Sequence, residues 1–214
     1  MIKVLVFIDW YRPAYKAGGP ISSVENLTDL IGDEISFYIV TSDKDLDNEP
    51  LKDIIYDSWL KLNKVHVRYL RDIQEKKDTL KQIVNEINPD KIYINGIFSK
   101  FYSVWPLFLF RKKYNLIISP RGMLINEALK IKFVKKKCYL MAMRLLGVYK
   151  NVYWHFSNKV EFNQAKNHAV INQNKIIPNL SRKIDFKEEE SNAFRIISVC
   201  RINKIKNIHF FLNV

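Results

Sequence analysis

The chain has 214 residues, 48% of them apolar and 27% charged, and it carries a formal net charge of +13. That apolar share is enough for a sizeable core, and that charged share excludes a membrane-embedded protein. The charge is concentrated: residues 98–150 hold twelve Lys and Arg against one acid, Glu127, which accounts for all but two of the net positive charges. The two cysteines, Cys138 and Cys200, stand far apart in contexts that read as buried, so a reducing cytosol is expected. No apolar run approaches the ~20 residues that a spanning helix needs. Asp9 and the lack of a small-residue cleavage site argue against a signal peptide at the start.

Residues 3–8 are a short β-branched and apolar run that fits a buried strand. A loop follows Asp9 and ends in Gly18-Gly19-Pro20, where a helix is expected to open with proline in its first turn. Ile21, Val24, Leu27, Leu30 and Ile31 fall on one helical face, and Gly32 is expected to close it in the left-handed position. A strand, a glycine pair and a helix start can hold a phosphate on free backbone N–H groups and the helix dipole. There is no GxGxxG and no GxxxxGK[ST], which disfavours a dinucleotide site and removes the P-loop reading.

Residues 35–40 read as the second strand and 43–58 as an acidic, polar loop. Residues 65–70 alternate as an edge strand with a solvated His66. From Asp72 the pattern is helical, with Ile73, Leu80, Ile83, Val84 and Ile87 on one face until Asn88-Pro89 stops it. A strand at 91–94 ends at Asn95-Gly96, and a helix over 98–113 is interrupted or kinked at Pro106. Another strand, 116–118, runs into Ser119-Pro120-Arg121-Gly122, followed by one long basic helix over 126–146. The strand at 152–156 leads to a helix capped by Ser157, with a last short strand at 175–179.

Strands and helices alternating at this spacing predict an α/β, doubly wound, mostly parallel Rossmann-like sheet over residues 1–179. In such sheets ligands sit at the carboxyl ends of strands. The segments 9–19, 95–96, 119–122 and 155–157 should therefore meet on one edge. Residues 180–194 turn polar and read as a linker, and 195–214 as the incomplete start of a second domain, since one strand and under three turns of helix cannot bury a core.

The run from Tyr11 to Pro20 resembles the N-terminal signature of the family 4 (group 1) glycosyltransferases of the GT-B fold. Ser119-Pro120-Arg121-Gly122-Met123-Leu124 is similar to the Pro-Arg-Gly-Met segment of one branch. Trp154 to Glu161 resembles the family's His-Ala-Thr-Ser-Glu strand and helix start, from which Phe156, Asn158 and Lys159 depart. Ile176-Ile177-Pro178-Asn179 looks like the sequence before the domain crossover, and Arg201 with Lys206 matches the pair that holds the donor diphosphate. The resemblance implies sugar transfer from a nucleotide-sugar donor to a saccharide or lipid-linked acceptor in polysaccharide synthesis, with retention at the anomeric carbon. It implies a donor site made by Gly18, Gly19, Arg201 and Lys206, with Asn95, Arg121 and His155 as cleft or acceptor candidates. The catalytic residues stay unassigned. A chain that stops at 214 is expected to be inactive alone, as a truncated or split enzyme.

No metal is expected, because Asp43, Asp45 and Asp47 alternate only within a loop, and no cofactor beyond the nucleotide-sugar substrate. For Arg121 the alternatives are contact with substrate and a salt bridge to a carboxylate; for His155, a cleft role and a satisfied structural histidine. Lys130, Lys132, Lys135, Lys136 and Lys137, interleaved with apolar residues, suit a helix lying on an anionic membrane surface. The chain is therefore expected to be cytoplasmic and peripheral to the inner face of the membrane, with no nucleic-acid partner. The alternative is a basic Rossmann-like module that binds anionic lipid or nucleic acid without catalysis.

Overall fold

The computed structural model describes residues 1–182. By its internal contacts the chain forms two units, Met1–Leu180 and Ser181–Val214. The expected strand at 195–200, with Cys200, Arg201, Lys206 and His209, and most of the expected linker lie outside the described residues.

The architecture is α/β, with a doubly wound, mostly parallel sheet. Strand β1 (Ile2–Ile8) is apolar from Val4 onwards because it sits mid-sheet with both faces covered. It pairs in parallel with β2 (Ile35–Ser42) on one side and β5 (Lys91–Asn95) on the other. Beyond β2 lies β4 (Val65–Leu70), and beyond β5 come β6 (Asn115–Ser119), β7 (Val152–Phe156) and β8 (Gln173–Ile176), all parallel. The short β3 (Trp59–Leu62) closes the β4 edge antiparallel. Strand order is therefore β3-β4-β2-β1-β5-β6-β7-β8. The chain builds outward from β1 through β2 and then returns to β5. The gap between the carboxyl ends of β1 and β5 is therefore the topological switch point, where open sheets of this kind bind ligands.

Helix α1 (Gly19–Ile31) covers one face, where Ile21 and Val24 pack with Val6, Ile8, Ile39 and Val67. The other face is deeper, with α2 (Lys77–Ile87), α3 (Trp105–Phe110) and residues of later helices gathered over Leu5, Ile92, Ile118 and Trp154. α4 (Asn126–Lys130) and α5 (Phe133–Leu145) join β6 to β7, and α6 (Lys159–Ala165) follows β7.

Several sequence expectations are corrected. β4 is an inner strand, because residues 59–62, just after the acidic loop, form β3, whose Trp59 packs edge-on against Tyr38. His66 stacks on Tyr38 at 5.0 Å rather than standing free in solvent. The helix expected from Asp72 begins only at Lys77, after a 3-10 turn that leaves Ile73 exposed. The aromatic segment before β6 is a π turn, Lys100–Val104, and then α3, with Pro106 in its first turn, where a missing N–H costs nothing. The single basic helix is two, broken where Ile131 is extended and Lys132 is left-handed (φ 56°). The cap of α6 is Asn158, whose side chain accepts from the Glu161 N–H, and not Ser157. The last strand lies at 173–176 rather than 175–179. Leu30 is exposed, and so is Cys138 on α5.

Gly32 ends α1 in right-handed geometry, so its conformation does not require glycine. The space around it does. A Cβ there would lie 2.4 Å from the Thr28 carbonyl oxygen and 2.7 Å from Lys64 Cβ. Gly32→Ala is therefore expected to destabilise the fold by roughly 1–3 kcal/mol, read as a lower denaturant midpoint at unchanged slope.

Candidate functional site

The loop after β1 is bolted down before it reaches the glycines. Tyr11, Ala14 and Ala17 are buried, and the Asp45 carboxylate accepts the N–H groups of Tyr15 (3.0 Å) and Lys16 (3.2 Å). Lys16 also pairs with Asp47. Two of the three alternating aspartates thus hold this loop, and among the described residues no three His, Cys, Asp or Glu side chains gather as a metal set.

At the start of α1, Gly18 has φ 67°, which a glycine accepts without strain. The expectation of several free N–H groups is too generous. Pro20 has none, and Ile21 and Ser22 both donate to the Gly18 carbonyl, at 3.0 and 3.3 Å. Gly19 keeps the exposed N–H, and a Cβ on either glycine would meet nothing within 4 Å. The helix start is thus an open but thin anion seat.

Across the switch point the three cleft candidates are linked. Asn95, at the end of β5, is buried; its Nδ2 donates to the Pro20 carbonyl (3.4 Å) and its Oδ1 accepts from Arg121 Nε (3.0 Å). Arg121 Nη2 donates to the Tyr93 hydroxyl (2.9 Å), which lies 2.9 Å from His155 Nδ1. His155 Nε2 is 3.0 Å from the Ile177 carbonyl, which can only accept. Nε2 therefore carries the proton, Nδ1 accepts, and the Tyr93 hydroxyl donates to it. Burial, helped by the charge of Arg121, lowers the His155 pKa, so the ring is neutral near pH 7. Both its nitrogens are satisfied, as a structural histidine's are, and it stands near the carboxyl end of β7 beside Tyr93.

Arg121 sits in a tight turn, with Met123 N–H bonded to the Pro120 carbonyl at 3.0 Å. Arg121 and Gly122 both have positive φ (51° and 77°), the primed geometry that a non-glycine adopts only when its surroundings enforce it. Glu161 does so. Its carboxylate, 2% exposed, accepts from Gly122 N–H (2.5 Å), Ser157 N–H (2.8 Å) and the Ser157 hydroxyl (2.7 Å). The third Arg121 contact, from Nη1, is to Asn179 Oδ1. All three partners of the guanidinium are neutral oxygens, and no carboxylate is paired with it among the described residues. The expected alternative of a structural salt bridge is absent among the described residues, and the nearby Glu161 carboxylate is bonded to backbone N–H groups and a hydroxyl instead.

Tyr93, Glu161, Asn179 and Asp9 are not among the site residues that the sequence predicts. Tyr93 looked like any strand aromatic and Asp9 like a strand terminator. Glu161 lay within a segment already singled out, where a buried acid among backbone donors was the signal to follow. Asp9 follows the end of β1, and burial pushes its pKa up to about 6, with the nearby Ser99 hydroxyl acting in the opposite direction. Of the membrane-surface lysines, Lys130, Lys132, Lys135 and Lys137 are exposed. Lys136 turns inward, with Nζ 2.6 Å from the Ala128 carbonyl at the end of α4 and over the Phe98 ring. A cavity of about 460 Å³ lies behind the Tyr11–Pro13 loop against Leu60, Val65 and Tyr69. Arg121, Asn95 and His155 do not line it.

No family model matches this chain, and no curated protein matches it. Among solved structures it is similar to dTDP-glucose 4,6-dehydratase from Bacillus anthracis str. Ames in complex with NAD. The two share 12% identity and a TM-score of 0.41, over 73% of this chain and 54% of that one. The chain thus spans about half the length of that enzyme.

The raised pKa of Asp9 fixes a pH dependence. Folding disfavours its charged form, so the cost is fully present above about pH 6 and disappears as pH falls below the unfolded value near 4. Asp9→Asn is expected to stabilise the chain by on the order of 2 kcal/mol at neutral pH and by nothing near pH 3.5, as read from denaturant melts at both.

Proposed function

We propose that the chain is a glycosyltransferase of the GT-B type and that its described unit is the acceptor-side half. It moves a sugar from a nucleotide-sugar donor to a saccharide or lipid-linked acceptor at the inner face of the membrane, in the building of cell-surface polysaccharide. The observation that carries the reading is the Arg121 guanidinium, held by neutral oxygens with no ion pair among the described residues and joined to the start of α1 by one buried amide, Asn95. In the reaction the acceptor oxygen bonds to the anomeric carbon as the bond from that carbon to the diphosphate oxygen breaks, and the acceptor's hydroxyl proton passes to the departing diphosphate. Negative charge grows on the departing nucleoside diphosphate. A forked guanidinium and an exposed backbone N–H stabilise that charge without a metal, and a neutral His155 beside them does not spend its donors on it. On the family resemblance, Arg201 and Lys206, which lie outside the described residues, are assigned to the donor diphosphate.

Peripheral attachment has its own support. Lys130, Lys132, Lys135 and Lys137 are exposed beside Phe133, Val134, Leu145 and Leu146. Each basic residue near an anionic leaflet is worth about 1 kcal/mol. No helix among the described residues is long and apolar enough to cross a membrane. The same exposure favours the second reading, a module that binds anionic lipid or nucleic acid without catalysis.

Titration with nucleoside diphosphates, followed through Trp10 in the loop after β1, separates the two. The transferase reading expects saturable binding that Arg121→Gln weakens by about tenfold or more. Anionic vesicle binding with no nucleoside diphosphate binding, or binding indifferent to Arg121, contradicts it and leaves the module.

A further inference from the structure

α5 is an unusual helix for a folded core. Of its thirteen residues only Leu140 and Met143 are buried, while Val134 is 72% exposed and Met141 58%. A stripe at helical spacing, Phe133, Lys137, Leu140, Met141 and Arg144, forms one wall of a cleft of about 340 Å³. Leu129 of α4 and the turn after α6, at Asn167 and His168, make the other wall. The volume falls within the roughly 300–1,000 Å³ of small-molecule sites.

The cleft has two chemical zones. Leu129, Phe133, Leu140 and Met141 give it an apolar interior. Lys137 and Arg144, seven residues and so about two helical turns apart on the α5 wall, both border the cleft, with no carboxylate paired to either among the described residues. The Lys137 side chain is exposed, but its ammonium lies over the Phe133 ring at 5.5 Å, which keeps the cation beside the apolar floor. Glu127 is the sole acid in residues 98–150, so charge complementarity asks for an anion, and the floor asks for a hydrocarbon tail joined to it.

We infer that the α4–α5–α6 cleft seats one chain of an anionic lipid, with its phosphate between Lys137 and Arg144. The inference deepens the proposed function and rests on its membrane-side acceptor. A lipid drawn partly out of the leaflet at α5 fixes how the domain stands on the membrane, which electrostatic attraction alone leaves free to rotate. The two contributions differ in kind. Attraction to the leaflet weakens with salt, whereas burial of methylenes grows with chain length.

The probe is a series of monomeric alkyl phosphates, butyl to octyl, beside inorganic phosphate, titrated into the 214-residue chain by calorimetry. Each added methylene is expected to tighten binding by roughly threefold to fourfold until the cleft is filled, with inorganic phosphate far weaker. Met141→Trp, an exposed position whose larger side chain fills the cleft, is expected to weaken octyl phosphate about tenfold or more while leaving salt-reversible binding to anionic vesicles in place. Lys137→Ala with Arg144→Ala is expected to weaken both. Equal affinity for inorganic and octyl phosphate overturns the inference, as does octyl phosphate binding that Met141→Trp leaves unchanged. Either result can stand beside intact vesicle and nucleoside diphosphate binding, so it leaves the proposed function untouched. A chain that is dimeric through this cleft and takes no octyl phosphate overturns it as well.

Discussion

The Tyr93 hydroxyl is the joint on which the carboxyl edge of the sheet depends. It accepts from Arg121 and donates to His155, and that order is forced because the other nitrogen of His155 faces a carbonyl. Parallel strands that end together leave polar loops crowded at one edge, and buried polar groups there must find each other. Tyr93 on β5 ties the β6 loop to β7. Asn95, two residues on, ties the same loop to the start of α1. Glu161 then locks the backbone beneath Arg121. Three side chains thus convert four separate strand ends into one surface, and the cation at its centre is held by neutral partners.

Such a surface suits an anion that arrives and leaves. A guanidinium tied to a carboxylate has its charge cancelled, and freeing it costs more than the anion returns. A guanidinium oriented by amide and phenol oxygens keeps its charge and loses little orientational freedom on binding. The strained turn at Arg121 and Gly122 belongs to the same design, since left-handed backbone at a non-glycine persists only where contacts over-determine it.

Much of this edge was legible from the sequence. Alternating apolar runs and helical faces set the strand spacing, and the strand-end rule brings Asn95, Arg121 and His155 to one edge. Illegible parts share a cause. Trp59–Leu62 carries a lysine and follows a polar loop, so its strand character comes from pairing with β4 and not from its own pattern. The break at Ile131 and Lys132 has no proline or glycine to announce it. The N–H groups at the start of α1 were expected to be free, and were taken up by the Gly18 carbonyl through a contact that spacing does not reveal. Lys136 counted as a surface charge until its stem folded back to the end of α4.

The central claim is that Arg121 is the anion receptor of this edge, and the 15N resonances of its guanidinium test it most directly. On titration with a nucleoside diphosphate the account expects the Arg121 Nε and Nη signals to shift saturably, with His155 staying in its Nε2-protonated neutral form. Shifts confined to the lysines of α4 and α5, with Arg121 unmoved at saturation, would contradict it.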